Sequence, residues 1–210
     1  MSESIGKRFM ALSQHKQMGP SDQSQGVPQP PLELSWDSSL PIIELPDPKT
    51  LKQAPVNLIE LITDRRTGRK YTGQALTLAE LSLLLWTTQG VKEITGRPAT
   101  LRTVPSAGSR HAFETYLLIN HVDGLEPGLY RYIATRHQLI CLEASKDVNP
   151  RITEACLKQE HIANSAVTFF WVAVAERMTW RYGERGYRYI HLDAGHVCQN
   201  LYLTAATMGC

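Results

Sequence analysis

The chain has 210 residues, 42% of them hydrophobic and 20% charged, and its formal net charge is +2. That length suits one substantial domain, and the composition is that of a soluble globular protein. So small a net charge argues against nucleic acid or an anionic membrane surface as the main partner, and no apolar run approaches the ~20 residues that cross a bilayer. The N-terminus shows no apolar core followed by a small-residue cleavage site, so no signal peptide is expected. Four cysteines, at 141, 156, 198 and 210, form no Cys-x-x-Cys pair. They read as reduced, mostly buried thiols of a cytoplasmic protein.

Residues 1–55 differ from the rest. Pro20, Pro28, Pro30, Pro31, Pro41, Pro46, Pro48 and Pro55 interrupt regular structure, with Ser, Gln and Asp between them. An extended arm is expected here, lying over another surface and anchored by Trp36, Ile42, Ile43 and Leu45. Residues 56–210 are expected to form the folded domain.

That domain begins with a short helix around Asn57 to Asp64. Next, Thr77 and Glu80 form a capping box, in which hydroxyl and carboxylate satisfy orphan amides at a helix start. The helix runs through Leu81, Leu84, Leu85 and Trp86, and Gly90 can end it in a left-handed cap. Residues 92–111 read as a polar loop, and Ala112 to Val122 as a strand. The Gly124-to-Gly128 turn leads into a second strand, Leu129 to Ile133, and Gln138 to Leu142 reads as a third. Asn149 and Pro150 open a helix as cap and first residue. The apolar run 166–175 has the length of a buried strand. Finally, Ile190, Ala194, Val197, Leu201, Ala205 and Met208 recur every three or four residues, marking a helix about 33 Å long. Helices with antiparallel strands, and no βαβ alternation, give an α+β fold with a central, mainly antiparallel sheet and one long helix.

Three stretches could carry chemistry. Arg65, Arg66, Thr67 and Arg69, around Gly68, offer guanidinium forks and a hydroxyl suited to a phosphate; the same residues could equally be a solvated basic helix end. Pro105, Ser106, Ala107 and Gly108 could expose backbone amides to a flat ligand, or be an ordinary loop. Arg181 and Tyr182 place a phenol beside a cation, able to donate a proton or steady an anion. No metal site is expected. His191 and His196 are five apart, about 140° around a helix, and Asp193 with His196 reads as a structural pair.

In order along the chain, these motifs resemble one known family. Arg65-Arg66-Thr67-Gly68-Arg69 precedes the Leu81-to-Gly90 helix, then Arg102-Thr-Val-Pro-Ser-Ala-Gly108 and Gly124-Leu-Glu-Pro-Gly-Leu-Tyr-Arg-Tyr132. Tyr182-Gly-Glu-Arg-Gly-Tyr-Arg-Tyr189 then enters Leu192-Asp-Ala-Gly-His-Val-Cys-Gln-Asn-Leu-Tyr-Leu203. Over residues 56 to 210 the chain is similar to the SagB-type dehydrogenases of the nitroreductase superfamily. The resemblance implies a nitroreductase-like FMN-binding fold and an FMN-dependent oxidoreductase. Such an enzyme moves two electrons through flavin N5, to or from a small-molecule or peptide-derived substrate, with NAD(P)H or O2 as redox partner. It also implies a homodimer with flavin at the subunit interface. Arg65, Arg66, Thr67 and Arg69 would hold the FMN phosphate and ribityl chain, and Pro105 to Gly108 would lie on the isoalloxazine. Arg181 and Tyr182 stand where azoline-oxidising members carry a catalytic Lys-Tyr pair. Arginine stays protonated, so it suits anion stabilisation rather than proton acceptance. Members of the family continue past the long helix into a further loop and strand, so the domain is expected to be incomplete at its C-terminus. The competing expectation is a non-catalytic or partner-dependent subunit of the same fold.

Overall fold

The computed structural model describes residues 4–51 and 55–210. Where the expected arm ends, residues 52–54 lie outside that range. The centre is a five-stranded antiparallel sheet, in the order β1 (Ile42–Glu44), β6 (Gln138–Ala144), β5 (Gly128–Ile133), β4 (Phe113–Ile119), β7 (Val167–Ala173). Strands β2 (Val91–Ile94) and β3 (Thr100–Arg102) form a separate hairpin inside the expected polar loop.

Alternation along the strands divides the core. On one face Leu117 and Ile119 of β4, Tyr130 and Tyr132 of β5 and Leu139 of β6 pack with Leu81 and Leu85 of α3 (Leu78–Gln89). On the other, Leu118 meets Val148 of α4 (Val148–Ala155) and Ile162 of α5 (Glu160–Asn164). A third cluster joins Phe113 and Val104 to Met178 of α6 (Glu176–Tyr182) and to Ile190 and Val197 of α7 (Gly186–Thr207). The long helix is therefore a core element, packed on α3 as well as on α6. No described helix is long and apolar enough to cross a membrane.

Local chemistry explains most of the element ends. The Thr77 hydroxyl accepts from the Glu80 amide at 3.2 Å, and the Glu80 carboxylate accepts from the Thr77 amide at 2.7 Å, so the capping box is formed. Asn57 caps α2 (Leu58–Asp64) through the Ile59 amide at 3.0 Å. Other local expectations need correction. Gly90 ends α3 with φ −56° and ψ 130°, not in a left-handed cap. Its role is close approach, because a Cβ there would lie 2.5 Å from the Trp86 ring and carbonyl. Helix α4 starts at Val148 after Asp147; Asn149 sits inside it and donates to Asn120 Oδ1 at 2.7 Å, tying α4 to the end of β4. Strand β7 is half-buried rather than buried, because it is the sheet's edge. Cys141, Cys156 and Cys198 are half-buried and Cys210 exposed, all as free thiols.

The N-terminal segment differs most from an extended chain. It forms a helix, α1 (Ile5–Leu12), and single 3-10 turns at His15–Gln17, Asp22–Gln25 and Pro48–Thr50, between which it crosses the domain surface. Of the expected anchors, Leu45 enters the core and Ile43 packs against it, Trp36 lies under the Arg136 guanidinium, and Ile42 is exposed. The firmest attachment is polar. Buried Glu114 of β4 pairs with buried Arg131 of β5 at 3.0 Å and with buried Arg177 of α6. The same carboxylate accepts from the Leu34 amide at 2.9 Å. Arg131 donates to the Leu34 and Ser35 carbonyls at 2.7 and 3.1 Å, and Arg177 to the Pro31 carbonyl at 2.8 Å. Two buried cations on one carboxylate leave an excess positive charge. The arm's backbone carbonyls, aimed at the guanidiniums, offset it.

Removing one partner from a buried ion pair typically costs ~3–5 kcal/mol. Glu114→Ala is expected to destabilise the fold by about that much, read as a lower urea midpoint. It should also make the first 50 residues more protease-sensitive, because it frees the arm's attachment.

Candidate functional site

The tertiary structure brings the Pro105–Gly108 loop onto the Arg181–Tyr182 pair. The loop leaves β3 and makes a 3-10 turn at Ala107–Ser109, with Gly108 at φ 59°. A Cβ on Gly108 would lie 2.6 Å from the Tyr182 hydroxyl and 2.8 Å from Cδ and Nε of Arg181. Glycine is therefore required twice over, for its backbone conformation and for the space. The loop is pinned from both sides. Ser106 Oγ accepts from the His111 amide at 2.9 Å, and the Ala107 amide donates to Asp193 Oδ1 of α7 at 3.3 Å.

Helix α6 and the chain reversal after it set the other half. Tyr182 rests against Tyr189 with ring centres 4.7 Å apart, and Arg185 stacks on Tyr189. Arg181 Nε donates to the Tyr182 hydroxyl at 3.3 Å, so cation and phenol share one surface. Arg110 comes from the far side of the loop, donating through Nε to the Gly108 carbonyl at 3.0 Å and lying over the Trp180 ring at 5.4 Å. Burial first, and then the nearby Arg181 cation, hold the Arg110 pKa below its ordinary value.

From the sequence, Asp193 reads only as a structural partner of His196, and Arg110 is not singled out. Asp193 is 4% exposed and turned toward Ala107, whereas His196 is exposed, so the expected Asp193–His196 pair does not describe its role. Its Oδ2 has no hydrogen-bond partner among the described residues. Burial pushes its pKa up, against the polar groups of Ser106 and Ala107. The signal was available: Asp193 falls between Ile190 and Val197 at helical spacing, a carboxylate on the buried stripe. Arg110, by contrast, carries no local signal, because only the fold puts it on Trp180.

The Arg65–Arg69 stretch is not brought to this place. Arg65, Arg66, Thr67 and Arg69 are exposed, in a segment without regular structure after α2. Arg65 and Arg69 lie near Tyr202 of α7, whose pKa is held above its ordinary value first by the hydrogen bond to Cys198, with the two guanidiniums opposing the rise. Tyr202 is nine residues beyond Asp193, which on a helix is about 13 Å along the axis and roughly 180° around it. The basic stretch and the Gly108 loop therefore lie on opposite sides of α7 within one chain.

Comparison with known proteins places the chain. Residues 62–210 match the nitroreductase family. The chain belongs to the nitroreductase family. A provisionally named nitroreductase of Methanocaldococcus jannaschii is 38% identical over 167 residues, covering 80% of this chain and 79% of that protein. The trifolitoxin-processing protein TfxB of Rhizobium leguminosarum is 31% identical over 112 residues, 51% of this chain and 30% of that protein. Among solved structures, nitroreductase-type proteins of Anabaena variabilis and Ralstonia eutropha superpose with TM-scores of 0.63 and 0.61 at 30% and 26% identity. They cover 81% and 87% of this chain. The chain spans 35% of the Anabaena protein and 77% of the Ralstonia one. The Escherichia coli microcin synthetase McbBCD complex, with truncated pro-MccB17 bound, shares the fold at 19% identity and a TM-score of 0.53. Nitroreductase-family proteins are in general FMN-dependent oxidoreductases, and the α+β architecture found here is theirs.

Two outcomes test this geometry. Gly108→Ala should lose at least the ~1–3 kcal/mol that a left-handed backbone costs a non-glycine residue, read by urea unfolding. His111, buried behind the loop, has its pKa pushed down from 6.5 to about 3, first by burial and then by Arg102 and Arg110. The unfolded state then binds the proton first. Stability from this group is whole above about pH 6.5 and falls as the pH drops toward 3. His111→Asn should flatten the dependence of the unfolding midpoint on pH between 6.5 and 4.

Proposed function

We propose that this nitroreductase-family chain is an FMN-dependent oxidoreductase that works as a homodimer, with each flavin site assembled from two copies. The observation that carries the proposal is the separation across α7. One side has exposed guanidiniums, free of carboxylate partners among the described residues; the other has a loop cleared of side-chain bulk at Gly108. A single FMN could engage both features if the second came from another copy. Exposed Leu58, Ile59 and Ile62 on α2, and Leu192 and Tyr202 on α7, offer apolar surface for that contact.

These residues suit the group. Arg65, Arg66 and Arg69 supply charged donors for a phosphate, and Thr67 a hydroxyl. The Pro105–Gly108 loop lets a planar ring approach backbone. Bound FMN would supply two-electron hydride chemistry, while the protein supplies orientation and electrostatics. Arg181, always cationic, would hold negative charge on the substrate. Tyr182 would donate a proton through the hydroxyl that Arg181 already contacts at 3.3 Å. Asp193 would hold the Ala107 amide, and through it the loop.

The finer reading is a SagB-type dehydrogenase acting on a small-molecule or peptide-derived substrate in the cytoplasm. The motif order and the similarity to a trifolitoxin-processing protein support it. Arg181 in place of a lysine counts against azoline oxidation as the reaction.

The purified chain should retain about one FMN per copy and run in light scattering at twice the chain mass. Arg66→Ala should weaken FMN roughly tenfold or more, the loss of one charge-assisted contact. A colourless protein that takes up no FMN from excess would overturn the proposal. A yellow monomer would remove its two-copy part.

A further inference from the structure

We infer that Arg110 and Arg181 form an oxyanion subsite beside the Gly108 loop, and that the Gln23 carboxamide of the N-terminal arm occupies it in the resting protein. The substrate class this assigns is a redox partner bearing a carboxylate or phosphate. The inference deepens the flavin reading above in naming its substrate, but the binding itself does not depend on flavin.

Both arginine side chains meet at the same glycine. Arg110 Nε bonds the Gly108 carbonyl at 3.0 Å, while Arg181 packs its Cδ and Nε against the Gly108 Cα, so closely that a Cβ would stand 2.8 Å away. No carboxylate among the described residues pairs with either, although the buried Arg131 and Arg177 share Glu114 nearby. Two unneutralised cations held together repel each other unless something negative or strongly polar lies between them and solvent. Trp180 supplies part of the answer, through its π face under Arg110.

Gln23 covers the Arg181 side. Its Oε1 accepts from Arg181 Nη1 at 2.9 Å. A planar carboxamide with its oxygen on a guanidinium stands in for one oxygen of a carboxylate or phosphate. The arm is held on both sides of Gln23. Val27 accepts from Trp180 Nε1 at 2.8 Å, and Ser13 receives Arg185 and Arg188 at 3.2 and 2.7 Å. Residues 13–27 thus form a strap across α6 and the start of α7, and its only contact with Arg181 among the described hydrogen bonds is the exposed, replaceable Gln23 side chain. An oxyanion would displace the neutral amide because it brings a full opposite charge to the guanidinium and can meet its fork of donors with two oxygens instead of one.

Calorimetric titration of the full chain with benzoate, phenyl phosphate and neutral benzamide tests the inference. At low salt at least one of the two anions should bind tenfold or more tightly than benzamide, and 0.5 M salt should erase the difference. Which anion binds better distinguishes a carboxylate from a phosphate substrate. Arg110→Gln and Arg181→Gln should each remove the preference, Gln23→Ala should tighten anion binding, and Gln23→Glu should block it with an internal carboxylate. Anions that bind no better than benzamide, or a preference untouched by both arginine variants, would overturn the subsite. Anion binding that survives in a protein unable to take up FMN would sink the flavin reading alone. FMN uptake without anion preference would sink the subsite alone.

Discussion

The structure depends on a carboxylate shared between two arginines in the interior. Glu114 of β4 holds Arg131 on the neighbouring strand and Arg177 on α6, and the three sit where water cannot solvate them. Such a cluster is stable when its remaining donors find acceptors, and most find them in the carbonyls of Pro31, Leu34, Ser35 and His111. The N-terminal segment is thus a structural requirement of the charges beneath it. It completes their hydrogen bonding as a ligand would.

This constraint propagates to the site. Arg177 lies one turn before Trp180, Arg181 and Tyr182, so anchoring it fixes where α6 ends and which way those three side chains point. The Gly108 loop meets them from β3, and Asp193 meets the loop from α7. The loop after β3 and the two helices α6 and α7 therefore converge around Gly108. The absence of a Cβ there brings a cation and a phenol against the backbone.

Long helix α7 divides the molecule. Its buried stripe carries the core contacts of Ile190 and Val197, and the same stripe places Asp193 under the loop. Its outer face carries Tyr202, which the basic stretch after α2 approaches. Asp193 and Tyr202 lie on opposite sides of the helix, so the two candidate regions are apart in the single chain.

Much of this was legible in the linear chain. The capping box, the turn before β5, the three central strands and the period of α7 are local, set by short-range hydrogen bonds and by the alternation of apolar residues. The order of motifs was enough to indicate the family and its α+β fold. Residues 92–111 read as a loop because the β2–β3 hairpin is short and mostly polar, and its pairing draws on tertiary support. Gly90 read as a cap because glycine serves both for positive φ and for lack of bulk, and only the Trp86 ring decides between them. The sequence by itself determined the elements and the chemistry available: arginines, a phenol, small loop residues. Tertiary structure alone decided which of them meet. It put Arg110 beside Arg181, Asp193 under Ala107 and Gln23 over the site, and kept Arg65 to Arg69 away. The physical reason is that such contacts are set by how helices and strands pack across tens of residues, where no local propensity acts.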